Sequence, residues 1–335
     1  MMSRKPLIAV VAKVFLVIAI AGCLLGAGCR PTVSKIRFGV ETSILSAPVW
    51  VAEMKGYFQT EGLEVEIKEF DSGRTAFRTM LDADGLDIVT VAPTPIILSS
   101  FGRNDYAVIA VMTYTDNDSK VVARQDRGIT KPVDLKGKII GVTKGSTGHF
   151  FLSSFLNSIG LTNSDVELVD MKATEMAQAL AEGRVDAIST WEPHIFNAQK
   201  LLGKNVMLFE DNGLFREHFS LVASRNFIKE HANILERFLR ALEKAEKFIN
   251  INREESINIV ATRIGADINL VDKLWNDFEF NLRLDQSILI NLEDRARWSI
   301  SNKLTEAQKE PDYLDFIYPD ALKSVKPGAV TIPGK

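Results

Sequence analysis

Beyond residue 29 the chain has no cysteine; the two it contains, Cys23 and Cys29, both stand near the amino terminus. That excludes a disulfide, a thiolate metal site and a cysteine nucleophile from the body of the protein. An excess of positive charge is missing too. The formal net charge is −3, and three of the cations, Arg4, Lys5 and Lys13, fall within the first 28 residues. No basic surface argues for nucleic acid, so any anion site has to be local. A Walker-type phosphate loop is also absent. In "KGSTGHF" (144–150) the lysine precedes the glycines, whereas that loop needs it after the last one. His149 and His194 stand in comparable loops, yet no third ligand follows at a recognisable spacing, so no zinc site is expected. No cofactor is expected either.

What is present is ordinary for a globular chain: 335 residues, 46% hydrophobic and 25% charged, enough for about two domains. The amino terminus reads as an export signal. A basic "MMSRKPLIAVVAK" leads into apolar "VFLVIAIAG" and then small residues. "IAGC" and "GAGC" each resemble a bacterial lipoprotein box. Cys23 has the better aliphatic residue before it. Cys29 has the better sequel, since "RPTVSK" makes a polar tether and "LLGAG" does not. Cys29 is the expected lipid-attachment site and Cys23 the alternative. A plain signal peptide with incidental cysteines is the simpler reading. The expected layout is a signal over 1–28 and a tether over 29–34.

The most informative feature is a repeat. "LDADGLDIVTVAPTPI" (81–96) and "LAEGRVDAISTWEPHI" (180–195) align without gaps, with Asp87 against Asp186 and Ile96 against Ile195. Upstream, "KIRFGVETSILSAPVWVAEMKGYF" parallels "KIIGVTKGSTGHFFLSSFLNSIG", and "VEIKEFDSGRTAFRTML" parallels "VELVDMKATEMAQAL". Each copy reads strand–loop–helix–strand–helix–strand. Two such units predict two α/β lobes, each with a parallel sheet covered on both faces. The apolar runs "SKVVAR" and "FSLVAS" suggest that the chain crosses between lobes near 122–126 and 218–224. Lobe one would then comprise 35–122 and 221–335, and lobe two 123–220. The amphipathic segments "HANILERFLRALEKAEKFI", "NLVDKLWNDF" and "QSILINLEDRARWSISNKL" read as helices packed on lobe one. A ligand cleft is expected at the carboxyl ends of the strands, at the loops Glu41–Ala47, Ala92–Pro95, Lys144–His149 and Trp191–His194.

At these residues the chain resembles a family. "SAPVWVAEMKGYFQTEGLEVEI", "PVDLKGKIIGV", "STWEPH" and "PDYLDFIYPDAL" are similar to segments of the solute-binding proteins of ABC importers for aliphatic sulfonates, taurine, nitrate and thiamine-precursor pyrimidines. The resemblance implies the type II periplasmic-binding-protein fold, with two Rossmann-like lobes, a double-crossover hinge and a ligand cleft between them. It implies a binding protein and not an enzyme, lipid-anchored outside the cell membrane and acting as a monomer. Its partners would be permease subunits with a cytoplasmic ATPase, and its solute small and anionic or zwitterionic. Carried over residue by residue, the ligand contacts would be Thr42, Ser43, Ala92, Thr94, Ser146, Thr147, Gly148 and Trp191.

Several of these residues have plainer readings. Ser146 or Thr147 can simply cap a helix, although a helix start also attracts an anion. Trp191 can be a packing aromatic, and Trp50, on a helix face, reads as core. His149 can donate a hydrogen bond to an anionic group. The departure from the family is acidic: Glu41 and Glu192 flank two of the loops. A carboxylate gains nothing from a sulfonate or nitrate, but it does gain from an amine. An enzyme or a ligand-sensing protein on the same fold remains the alternative. The desulfinases on such folds rely on a cysteine, which the body lacks.

Overall fold

The computed structural model describes residues 34–332 except 84, 211, 212, 214 and 215. The expected signal and both cysteines lie outside the described residues. No described helix is long and apolar enough to cross a membrane.

The first repeat copy folds as β1 (Ser34–Glu41), α1 (Ala47–Met54), a short α2 (Tyr57–Thr60), β2 (Leu63–Phe70), α3 (Gly73–Ala83), β3 (Ile88–Val91) and α4 (Pro93–Ser100). β4 (Tyr106–Thr115) and β5 (Ser119–Arg124) follow. The second copy folds as β6 (Ile139–Val142), α5 (Thr147–Ser158), β7 (Glu167–Asp170), α6 (Ala173–Ala181), β8 (Ala187–Trp191) and α7 (His194–Leu202). Next come β9 (Val206–Phe209), β10 (Glu217–Ser224), α8 (Arg225–Glu230), α9 (Ala232–Ile251), α10 (Arg253–Ile264), α11 (Ile268–Leu274), β11 (Phe278–Arg283), α12 (Gln286–Ser301) and α13 (Asp320–Val325).

Two sheets result, ordered β11-β4-β10-β3-β1-β2 and β7-β6-β8-β5-β9. Within each copy the strands run parallel, as β1 with β3 and β6 with both β7 and β8. The sheets are nevertheless mixed, not parallel as the repeat suggested. β10 enters antiparallel to β3 and β4, and β5 enters antiparallel to β8 and β9. A strand arriving from the other lobe runs against the strands already there.

The crossovers also fall earlier than 122–126 and 218–224. β5 pairs with β8 from Ser119 opposite Trp191, and β10 pairs with β4 from Glu217 opposite Thr115. Both apolar runs are whole strands of their destination sheets; the first crossing falls at 116–118, and β10 has already begun at Glu217. The polar "DND" after β4, a strand whose ten residues are all buried, cannot extend a buried strand without unpaired polar groups. "WNDF" is not helical to its end, because Phe278 opens β11, whose burial alternates along the strand.

Lobe-one packing centres on aromatic contacts such as Phe38 against Phe238, 5.0 Å between ring centroids, and Phe58 stacked on Phe238 at 5.5 Å. Trp50 is fully buried there, as its helix face suggested, with the Arg263 guanidinium 4.5 Å from its ring centroid. In lobe two, neighbouring residues of β5 serve opposite faces. Val121 packs with Phe151 and Phe155, whereas Val122 packs with Met176 and Leu180.

The aspartates of the repeat have one structural job. Asp87 Oδ2 accepts the Arg37 backbone N–H at 2.8 Å, and Asp186 Oδ2 accepts that of Ile139 at 3.0 Å. Each aspartate N–H also bonds the carbonyl of the same partner, at 2.8 Å in both copies. Each aspartate thus pins the start of its copy's third strand to one residue of the first, Arg37 within β1 and Ile139 at the start of β6, which fixes the register and so the depth at which both strands end. Replacing Asp186 with alanine strands a backbone donor and is expected to lower unfolding stability by about 1–3 kcal/mol in urea titration. A change within error would mean that water replaces the carboxylate at no cost.

Candidate functional site

The carboxyl ends of β1, β3, β6 and β8, the first crossover and the start of β10 converge on a cavity of about 30 Å³ between the lobes. It has room for a few water molecules at most, so an organic solute enters only if the lobes part or side chains turn. Lobe one contributes Glu41, Leu45, Ser72, Gly73, Arg74, Ala92, Pro95, Glu217 and Phe219. Ser146, Thr147 and Trp191 face them from lobe two, with Asp118 of the first crossover between.

Glu41, the last residue of β1, is buried and its Oε2 accepts the Gly73 N–H at 2.6 Å. Gly73 opens α3 against β3, where a Cβ would lie 2.8 Å from Val91 Cα and 3.0 Å from Glu41 Oε2. A side chain at that position would push the helix start and the carboxylate apart. Burial raises the Glu41 pKa to about 7, against the pull of the Gly73 amide and with added repulsion from Glu217. Asp118 is also buried and held well above the usual carboxylate range, first by desolvation and then by the charge of Glu41. Glu217 is buried as well, with Oε2 bonded to Arg295 at 2.9 Å. Its Oε1 has no hydrogen bond among the described residues. One cavity therefore gathers three carboxylates.

The cationic face is smaller. Arg74, in the first turn of α3, lines the cavity and makes no hydrogen bond or ion pair among the described residues. Across from it is the start of α5. Ser146 holds the N-cap position, but its hydroxyl donates to Thr143 O at 2.7 Å instead of capping the helix. The Thr147 hydroxyl is buried at the cavity wall without a hydrogen-bond partner among the described residues. Uncapped amides and a positive dipole end favour an acidic group there.

Of the residues chosen from the sequence, Glu41, Ala92, Ser146, Thr147 and Trp191 line the cavity. The others stand behind it or away from it. Thr42 Oγ1 donates to Glu69 at 3.3 Å. Ser43 is buried, and its carbonyl takes the Trp50 indole N–H at 3.1 Å. Thr94 Oγ1 accepts from Arg295 at 2.8 Å. Gly148 is packed on β8, where a Cβ would meet Ser189 O at 2.8 Å. His149 is turned to Gly145, whose N–H lies 3.3 Å from Nδ1, and burial drops its pKa to about 4. With Nδ1 accepting, the neutral ring carries its proton on Nε2, but His149 is not among the residues that line the cavity. Glu192 faces a different cavity, of about 490 Å³, together with Lys120 and Lys273, and its Oε2 accepts the Phe196 N–H at 3.1 Å. Sequence reasoning missed Arg74, Asp118 and Glu217. The available signals were a second-strand loop, "DSGR", and the polar residues at the two crossovers.

A family profile described as NMT1/THI5 like matches residues 44–256. The chain belongs to that family. A protein of Bacillus subtilis (strain 168) named as an aliphatic sulfonates-binding protein is 31% identical over 322 residues, spanning 93% of this chain and 90% of the relative. The taurine-binding periplasmic protein of Escherichia coli (strain K12) is 26% identical over 203 residues, 60% of this chain and 62% of that one. Among solved structures, the alkanesulfonate-binding protein SsuA from Xanthomonas axonopodis pv. citri bound to MOPS superposes with a TM-score of 0.74 at 19% identity, covering 85% of this chain and 98% of that one. The desulfurization enzyme DSZB matches with a TM-score of 0.64 at 17% identity, covering 87% and 98%. At these identities the structures establish the fold. This NMT1/THI5-like chain has the two-lobed periplasmic-binding-protein architecture that its resemblance implied.

The buried acids give the family member a pH signature. An unfolded glutamate ionises near 4.5, but Glu41 in the folded chain does so near 7. Between these values the folded state binds more protons, so its stability falls as pH rises through that window and levels off above it. Glu41→Gln is expected to remove about 3 kcal/mol of the decline, read from urea unfolding between pH 4.5 and 8. An unaltered pH dependence would place Glu41 among ordinary ionised carboxylates.

Proposed function

We propose that this chain is the solute-binding component of an ABC importer and that its solute is a small zwitterion carrying a protonated amine and an acid group. The observation that carries this reading is the charge layout of the inter-lobe cavity, where Glu41, Asp118 and Glu217 face Arg74 and the start of α5. A purely anionic solute would meet three buried carboxylates with one free guanidinium to oppose them. An ammonium group replaces the water those carboxylates have lost, while the acid group takes Arg74, the Thr147 hydroxyl and the uncapped amides of α5. Trp191, buried at the end of β8, forms an apolar wall beside them.

The named ligands of its relatives, aliphatic sulfonates and taurine, fit the acid end of this description, and taurine fits both ends. The protein is then a capture device: the lobes close on the solute, dock on permease subunits served by a cytoplasmic ATPase, and reopen. It works as a monomer held at the outer face of the cell membrane by a lipid on Cys29. Enzymes exist on this architecture, but a cysteine nucleophile is not available here beyond residue 29.

A thermal-shift comparison of taurine with ethanesulfonate, which keeps the acid and lacks the amine, tests the central point. Ligand binding raises the melting temperature according to concentration over Kd. Taurine is expected to give the larger shift, and an equal or larger shift with ethanesulfonate would sink the zwitterion reading. Trp191→Ala and Glu217→Gln should each weaken taurine binding about tenfold or more, measured by calorimetry. Glu192→Gln, at the other cavity, should leave it within twofold. In cells fed labelled palmitate, Cys29→Ala is expected to abolish incorporation and Cys23→Ala to preserve it.

A further inference from the structure

Arg295 is fully buried and is not among the residues that line the inter-lobe cavity. It sits on α12, in the carboxyl-terminal part of lobe one. Its Nη1 donates to Thr94 Oγ1 at 2.8 Å, in the loop after β3, and its Nη2 to Glu217 Oε2 at 2.9 Å. The guanidinium carbon lies over the ring of Phe150, 4.4 Å from its centroid. Phe150 belongs to the first turns of α5, in the opposite lobe. One side chain therefore touches a lobe-one ligand loop, a cavity carboxylate and the lobe-two helix that opens at the cavity.

The neighbours of Arg295 extend the same stripe of α12. Trp298 meets His149 and Phe150 edge-on, at centroid distances of 5.2 and 5.1 Å. One turn further on, Asn302 Oδ1 accepts the Asn163 side-chain amide at 3.0 Å. Residues 295, 298 and 302 share one helix face, and that face rests on lobe two.

We infer that Arg295 is a positioning residue of the ligand site: it aims the Glu217 carboxylate into the cavity and, through Phe150, ties that aim to closure of the lobes. A buried ion pair is a weak source of stability, and an apolar pair of similar volume often does as well. This pair does something an apolar pair could not. It occupies one oxygen of Glu217, a residue that lines the cavity, and leaves the other, Oε1, without a hydrogen bond among the described residues. The geometry needs arginine. Its planar fork reaches two acceptors while its face stacks on a ring, whereas lysine offers a point charge. Opening the lobes would draw Phe150 off the guanidinium and leave Arg295 held by Thr94 and Glu217 alone, so the aim of Glu217 would be tightest in the closed form.

The inference rests on the zwitterion reading for its ligand arm, so the test carries a second arm that needs no ligand. Calorimetry gives the ratio of taurine to ethanesulfonate affinity for the wild type, Arg295→Lys, Arg295→Met and Phe150→Leu. Small-angle X-ray scattering gives the radius of gyration of each protein without ligand. Both Arg295 variants are expected to cut the affinity ratio at least tenfold, because the amine loses an aimed carboxylate. They should also enlarge the ligand-free protein. Phe150→Leu should enlarge it too while keeping the ratio within twofold. A merely structural arginine would weaken both ligands alike and leave the ratio where it was, and that result overturns the inference. Unchanged scattering in Arg295→Lys and Phe150→Leu together overturns the closure half. If Arg295→Met fails to fold, the lysine and leucine variants still decide. If the wild type shows no preference for taurine, the zwitterion reading falls, and the scattering arm alone tests the tie between Arg295 and closure.

Discussion

Taking a carboxylate out of water costs several kcal/mol unless charge or hydrogen bonds replace the solvent, and this protein does so at Glu41, Asp118 and Glu217 around one small cavity. Each acid is compensated differently. Glu217 has the Arg295 guanidinium, Glu41 has the Gly73 amide, and Asp118 has, among the described residues, the charge of Lys120. No packing argument requires three acids there. An apolar cleft would close more cheaply, so the arrangement makes sense as preparation for something that enters with positive charge.

The duplicated architecture is what makes such a cavity possible. Each lobe carries its copy's strands in the same spatial order, with the strand from the other lobe added on the same side. The strand ends of both copies therefore face each other, and the first crossover passes between them. Asp87 and Asp186 fix how far the strands reach. Gly73 and Gly148 then let a helix start lie directly on β3 and on β8. The two contacts serve opposite purposes. The one at Gly73 brings an amide to Glu41, and the one at Gly148 presents the open end of α5. A local α/β rule, applied twice, thus yields an anion-favouring wall and a cation-favouring wall on opposite sides of one gap.

Much of this was legible in the sequence, and the failures have a common cause. Periodic apolar runs and the Asp-to-Asp repeat exposed both lobes, the order of their elements and the loops that meet at the cleft, because burial imposes period and turn residues punctuate it. The crossovers carry no period. Asp118 and Glu217 sit where polar residues are expected in any connection, and the crossing points were assigned to the apolar runs beside them. Arg74 lies in the second-strand loop, which the resemblance did not single out. Arg295 could not be found from sequence at all, since both arginines of "NLEDRAR" read as a solvated helix face until the fold buries the first. Conversely, Thr42, Ser43, Thr94, Gly148 and His149 are correctly placed near the cleft in the chain, but their side chains support its walls from behind. Sequence assigns a loop to a site, and only packing decides which residues of that loop face inward.

The acidity of the cavity has a consequence for how capture would proceed. Near neutral pH the ligand-free site reduces its own repulsion by sharing a proton with Glu41, whose pKa is about 7, beside Asp118, which desolvation and the charge of Glu41 hold above the usual carboxylate range. A proton is the smallest cation that can do this, and it fits where a cavity of about 30 Å³ admits nothing larger than water. An arriving ammonium group offers the same charge with more hydrogen bonds and makes the proton redundant. Capture on this view is an exchange of cations across a closing gap, in which the desolvation cost has already been met by the fold. Arg295 is the one cation that does not exchange. It remains bonded to Glu217 and Thr94, both in lobe one, so one oxygen of Glu217 stays occupied while the other has no hydrogen bond among the described residues.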